Sequence, residues 1–338
     1  MIKDILNSTN ASIKRFLNPI QELRLIIANA QSQENIPLAF YESAARQHLF
    51  YLEALCRIYK KTNSKKLFKK LQSKFKSLED QLGKVDYYES FHKDFSKLKD
   101  FPAVLINQLF QHYQNELKNL YSLLVEDNWL DEENNRIDKI ITQLDKVIWL
   151  NADDERVAIS TTIQNEIEKI LKNYKSGKLN FDNIEDGVHE FRRSIRWISI
   201  YAQALNGLIQ LKKDHLATFF ENYLTPEVVT SPFNKMPENK TDFKTIELSE
   251  SPFYALSWMI AESGKLKDEG LEIICIEELM KETSFISEDK IPTEARKYAP
   301  NVKLSINGIK SKMKTLVDAF IYNDKVLALL DKDLKDVN

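Results

Sequence analysis

Residues 188–196 read V-H-E-F-R-R-S-I-R. The apolar positions Phe191, Ile195, Ile198, Ala202 and Leu205 recur at helical spacing through and beyond this stretch. His189, Arg192, Arg193 and Arg196 fall at offsets of 0, 3, 4 and 7, which share the opposite face of an α-helix. The sequence therefore predicts a helix with one side for a core and a cationic stripe directed away from it. Three guanidiniums and one imidazole in a row suit phosphate oxygens, because a guanidinium donates through a planar fork that matches them.

The same 3.6-residue period runs outward in both directions. It predicts helices over about 2–16, 19–33, 37–62, 64–82, 86–98, 101–127, 133–149, 153–175, 185–222, 252–263, 268–283 and 304–335. Only seven glycines and nine prolines occur in 338 residues, too few for the turns of a barrel or sandwich. The fold class is all-α. Asn-Ala-Asp-Asp at 151–154 reads as a helix stop followed by a new N-cap. Residues 224–251 carry three prolines and little periodicity. They read as a long loop with short extended pieces and no sheet.

Composition narrows the function classes. Hydrophobic residues make up 43%, enough for a sizeable core. The formal net charge of −2 argues against a general nucleic-acid binder, so any polyanion site must rest on local charge. Cys56 and Cys275 sit in apolar helical contexts, as buried reduced thiols would. The first ten residues lack a signal-peptide core, and no run of about 18 apolar residues offers a membrane span. A cytoplasmic location is expected.

A second cationic block, R-I-Y-K-K-T-N-S-K-K-L-F-K-K-L-Q-S-K-F-K at 57–76, holds nine Lys or Arg and no acid. Lys65, Lys66, Lys69 and Lys76 share one helical arc, and Leu67, Phe68, Leu71, Phe75 and Leu78 share another. Together with Lys60, Lys61 and Lys70 these lysines offer long-range attraction to an extended anion, whereas the arginines offer directional hydrogen bonds. Catalytic and metal motifs are missing. His92, His112 and His215 have no metal-ligand spacing, and His189-Glu190 is not followed by the second His of H-E-x-x-H. No Walker A, G-x-G-x-x-G or G-x-S-x-G occurs, no nucleophile–base pair stands out, and no cofactor is expected. Trp129, Trp149, Trp197 and Trp258 fall within apolar helical patterns and read as core anchors.

Two stretches are similar to two others. Residues 41–55 align with 188–202 at an offset of 147, and 82–90 align with 263–271 at an offset larger by 34. These matches predict two homologous halves, residues 1–150 and 151–338.

The His-Arg stripe followed by G-K-L-K-D at 264–268 resembles the CHAD family, the conserved-histidine α-helical domain. Its signature sets a His at a helix start, Arg and Lys at helical spacing, and a later G-x-x-[RKN]-D in each half. Here His189, Arg192, Arg193 and Arg196 match the first element, and Gly264, Lys265, Lys267 and Asp268 the second. The resemblance implies two helical bundles related by pseudo-twofold symmetry and a basic groove for inorganic polyphosphate. In the N-terminal half the alignment places Glu42 at the His position and Ala45 at the first Arg, and the second element reads G-K-V-D-Y with its acid at Asp86. The expectation is a non-enzymatic binder of polyphosphate or a similar polyanion. His189, Arg192, Arg193 and Arg196 would contact phosphate, and Lys60, Lys61, Lys65, Lys66, Lys69 and Lys70 would add attraction. The alternative is a helical scaffold that keeps the fold, has lost the ligand and serves a protein partner. A third reading, a helical enzyme covered by loop 224–251, lacks any residue set that would name its chemistry.

Overall fold

The computed structural model describes residues 10–131, 136–239 and 244–337. Among these, thirteen α-helices and one two-stranded ladder form an all-α architecture. The chain divides into two compact units. Unit 1 comprises the chain up to Trp149 together with Glu278–Ile291, and unit 2 comprises Leu150–Glu277 with Pro292 onward.

Unit 1 is built on α1 (Ala11–Gln31), α2 (Ile36–Tyr41), α3 (Ala45–Thr62), α4 (Lys65–Phe95), α5 (Ala103–Glu126) and α6 (Arg136–Asp145). Helix α1 starts where Asn10 Oδ1 accepts from the backbone N–H groups of Ser12 and Ile13. It then passes straight through Pro19, where the sequence predicts two helices. A mid-helix proline costs about 3 kcal/mol. The buried stripe Ile13, Phe16, Leu17, Ile20, Leu23 and Ile27 runs across it and offsets that cost. The predicted residues 2–9 lie outside the described residues. The helix predicted over 37–62 is in fact two. Ser43 donates through its hydroxyl to the Phe40 carbonyl and accepts from the Ala45 N–H, a local alternative to continued helix. Helices α3, α4 and α5 pack in sequence, with α1 laid on α3. Phe16, Tyr59 and Phe68 meet Trp149 in one aromatic cluster.

Unit 2 contains α7 (Ala152–Lys175), a π-helical turn (Ile184–His189) leading into α8 (Glu190–Ala204), β1 (Ile209–Lys212), α9 (Pro226–Val229) and β2 (Ile246–Ser249). Helices α10 (Glu250–Glu282, whose last residues belong to unit 1), α11 (Ile291–Lys297), α12 (Ile306–Asp318) and α13 (Val326–Lys335) follow. Four predicted boundaries differ here. The helix over 185–222 ends at Ala204, because Asn206 and Gly207 turn into the left-handed region at φ 48° and 92°. The stretch read as a loop contributes β2, which pairs in parallel with β1 from Ile209↔Ile246 to Lys212↔Ser249. The helices predicted over 252–263 and 268–283 are one helix, as are those over 64–82 and 86–98 in unit 1. The last predicted helix, 304–335, is interrupted by a π-turn at Ala319–Asn323 and by Lys325 at φ 53°.

The cysteines and two of the tryptophans sit as expected. Cys56 and Cys275 are buried, as are Trp129 and Trp197. Trp149 and Trp258 are half-buried and meet Tyr59 and Tyr223 edge-on. Among the described residues no helix is long and apolar enough to cross a membrane.

Candidate functional site

The His-Arg stripe begins in a constrained turn. A Cβ on Gly187 would lie 2.5 Å from the Asn180 carbonyl oxygen and 2.9 Å from Phe181 Cα, so only glycine lets the two segments approach. Asn183 caps the turn by accepting from the Asp186 N–H at 2.6 Å. His189 closes the turn, and its Nδ1 lies 2.9 Å from Glu185 Oε2. That hydrogen bond holds the Glu185 carboxyl below the ordinary carboxylate value, against a smaller opposing effect of burial. Arg193 pairs with Glu190 on its own helix. Arg192 lies across α10 and donates from Nε to the Ile260 carbonyl at 3.2 Å. Its guanidinium covers Gly264, where a Cβ would come within 3.0 Å of Nε. Arg196 is half-buried in the same row. Two of the four cationic groups thus face carboxylates of the same segment, and Arg192 spans two helices. Of the second motif, Lys265 meets Glu262 at 2.5 Å and Lys267 meets Asp268 at 2.6 Å.

The lysine block occupies the α3–α4 corner of unit 1. Lys60 donates to Gln72 Oε1 at 2.7 Å, and Gln72 Nε2 donates to Glu53 at 3.1 Å. Glu53 is buried, and burial pushes its carboxyl up from the ordinary value. Lys74 and Lys76 reach Asp127 and Asp80. Lys61, Lys65, Lys66, Lys69 and Lys70 are exposed, and none forms an ion pair among the described residues. Four of them crowd the first two turns of the 31-residue helix α4, whose N-terminus has no acid in its first turn and no side-chain cap. The helix dipole already makes that end positive, so these lysines add repulsion instead of relieving it. An anion placed there would meet backbone N–H groups, the dipole and the ammonium groups together.

A third arrangement was not anticipated. Arg46 on α3 donates from Nε to Glu79 at 3.0 Å and from Nη1 to Asp86 at 2.7 Å. Its Nη2 covers Gly83, where a Cβ would sit 2.9 Å away. Arg46 and Gly83 therefore stand to α3 and α4 as Arg192 and Gly264 stand to α8 and α10. The sequence alignment reads past this by one residue, since it pairs Ala45 with Arg192. Sliding it by one position would have paired the two arginines. Beside Arg46 opens a cleft of about 350 Å³ lined by Tyr41, Glu42, Ser43, Leu82, Asp86, Glu89 and Lys93. Here Asp86 stands three residues past the glycine, where unit 2 has Lys267. The Tyr41 hydroxyl straddles Asp86 and Glu89 at 3.5 and 3.4 Å. Burial and these two carboxylates raise the Tyr41 phenol well above its ordinary value.

The described residues contain no group of three or more His, Cys, Asp or Glu side chains able to hold a metal ion. No protein-family model, curated protein or solved structure matches the chain.

Proposed function

We propose that this chain is a non-catalytic polyanion-binding protein, with inorganic polyphosphate as its ligand. The observation that carries the reading is the set of five exposed lysines at the α3–α4 corner, four of them in the first two turns of α4, that have no acid partners among the described residues. Such an arrangement costs the free protein repulsion that a bound polyanion removes. The matching Arg-over-Gly contacts at Arg46–Gly83 and Arg192–Gly264 support treating the two halves as related, in keeping with the CHAD resemblance. In this reading Arg192 braces two helices while Arg196 and His189 lie beside it, and the lysines supply most of the attraction.

Titration of fluorescent polyphosphate at several salt concentrations tests the proposal. With five lysine contacts and a single-stranded ligand, log K should fall against log salt with a slope of about −3.5. Replacing Lys65, Lys66 and Lys69 with Gln should make that slope shallower by about 2. Binding that keeps its slope in this variant rejects the lysine site. Binding unaffected by Arg192→Ala with Arg196→Ala removes the stripe from the ligand contacts.

A second reading is a helical scaffold that no longer binds polyphosphate. Two observations favour it: the pairing of His189 and Arg193 with Glu185 and Glu190, and the exposure of Phe219 and Phe233 at 58% and 60%. It requires that no saturable polyphosphate binding occur even at low salt.

A further inference from the structure

One aliphatic side chain at the lysine corner stands in water. Ile148, just past α6, is 92% exposed, whereas the other exposed large hydrophobics among the described residues reach at most 60%. The backbone on both sides of it is held. Asn63, in the loop between Lys61 and Lys65, donates from Nδ2 to the Ile148 carbonyl at 2.8 Å. Thr62 donates its hydroxyl to Asn63 Oδ1 at 2.7 Å and fixes that amide. The next residue, Trp149, packs against Tyr59, Phe16 and Phe68 at ring separations of 5.2, 5.9 and 6.0 Å. Two adjacent residues thus have opposite fates. Trp149 is anchored in unit 1, and the Ile148 side chain is presented to solvent beside the basic loop. That loop is flanked by exposed Lys61 on one side and by exposed Lys65, Lys66, Lys69 and Lys70 on the other, none with an acid partner among the described residues. Asp145 and Lys146, both exposed, precede Ile148 and cancel in charge. Isolated exposed aliphatics are common and call for no partner. Ile148 differs in degree of exposure, in being tied in place and in its cationic company.

The chemistry of a partner follows from the combination. A dissolved polyanion can use the ammonium groups, but it has no apolar phase to take an isoleucine. An anionic bilayer surface offers both, with phosphate and carboxylate headgroups for the lysines and acyl chains beneath them for the aliphatic side chain. We propose that the α3–α4 corner docks on anionic lipid bilayers, with Lys61, Lys65, Lys66, Lys69 and Lys70 on the headgroups and Ile148 inserted between them. The formal net charge of −2 does not oppose this, because charges more than about 10 Å from the surface are screened at ordinary ionic strength. Such docking lies on the membrane and needs no spanning helix. It uses the lysines that the polyphosphate reading also uses, but it does not rest on that reading, since Ile148 has no part in binding a dissolved polyanion.

Co-sedimentation of the full chain with lipid vesicles tests it. Vesicles of phosphatidylcholine with about one-third phosphatidylserine should bind the protein, and vesicles of phosphatidylcholine alone should bind it about 100-fold more weakly or less. Each lysine near an anionic surface is worth about 5-fold in affinity, so replacing Lys65, Lys66 and Lys69 with Gln should weaken vesicle binding about 100-fold. Ile148→Ser should weaken it about 5-fold or more without changing its salt dependence, because no charge is altered. Ile148→Trp, which enlarges the inserted side chain, should tighten it about 3-fold. Both changes fall on an exposed side chain, so the unfolding midpoint should stay where it is. Failure of the unmodified protein to bind anionic vesicles at low salt overturns the proposal. So does equal binding to neutral vesicles, or vesicle binding unchanged by both Ile148 variants, which would leave the lysines to dissolved polyanions alone. Polyphosphate titration of Ile148→Ser should match that of the unmodified protein. A protein that docks on vesicles and ignores polyphosphate refutes the polyphosphate reading and bears this one out.

Discussion

The Arg46–Gly83 contact makes a quantitative prediction about how α3 is held on α4. Arg46→Ala removes two ion-pair legs of unequal weight. Asp86 is 53% exposed, so its leg contributes only a few tenths of a kcal/mol. Glu79 is 9% exposed, and Arg46 is its ion-pair partner. A largely buried carboxylate deprived of its partner costs about 1.5–3 kcal/mol. The expected loss in unit 1 is thus about 2–3 kcal/mol. Glu79→Gln in the Arg46→Ala background should recover about 1 kcal/mol of it, because a neutral amide is cheaper to leave unpaired. Gly83 provides a second, independent check. Alanine is favoured over glycine by about 1 kcal/mol in a helix interior. In the unmodified protein its Cβ would push Arg46 Nη2 from 2.9 Å, which forces the guanidinium off its carboxylates. Gly83→Ala should therefore stabilise the Arg46→Ala variant by close to the full amount and the unmodified protein by distinctly less. Urea unfolding followed by tryptophan fluorescence reads the difference, since Trp129 and Trp149 both belong to unit 1. Equal stabilisation by Gly83→Ala in both backgrounds would refute the clasp, as would an Arg46→Ala loss under 0.5 kcal/mol or so.

Three further outcomes follow from the same geometry. Gly187→Ala should destabilise unit 2 by more than 2 kcal/mol or so, because the Cβ meets backbone at 2.5 Å and no side chain can yield; thermal unfolding reads it. Glu53→Gln should be neutral or stabilising at pH 7. The folded-state value of Glu53 is raised, so native Glu53 gains stability as pH falls through that raised value toward and below 4.5; the advantage of the glutamine variant should shrink over that interval in pH-dependent urea titrations. Glu185 is shifted the other way. Its contribution is present above the ordinary value of 4.5 and is lost as pH falls through the lowered one, so the stability deficit of Glu185→Gln should disappear in strong acid.

The helices themselves were legible because their signal is local. Apolar spacing at 3.6 residues marks each core face, and Asn151 marks a helix start by accepting from the Asp154 N–H three residues on. Some boundaries carried a readable signal that periodicity alone overran. The Asn206-Gly207 pair is a turn dipeptide, and it ends α8 well before residue 222. Other boundaries could not be read locally. Pro19, Gly83, Gly264 and Gly270 all look like breaks, yet each lies within a continuous helix. Three of the four are explained by a distant partner: Arg46 covers Gly83, Arg192 covers Gly264, and the Ile184 side chain fills the space beside Gly270.

The candidate sites divide in the same way. The amino-acid order alone determined that the chain is helical, that from residue 65 lysines line one arc of a helix and apolar residues another, and that His189, Arg192, Arg193 and Arg196 share a side. Only the tertiary structure decided which of these charges are engaged. Arg192 braces a helix 68 residues away, whereas Lys65, Lys66, Lys69 and Lys70 stand without acid partners among the described residues. It also placed Arg46 between Glu79 and Asp86 and opened the cleft beside them. The physical reason is one of range. Helical periodicity is set by neighbours within a turn or two, but the partner of a charge is whichever group the packing of distant helices brings within a few ångströms.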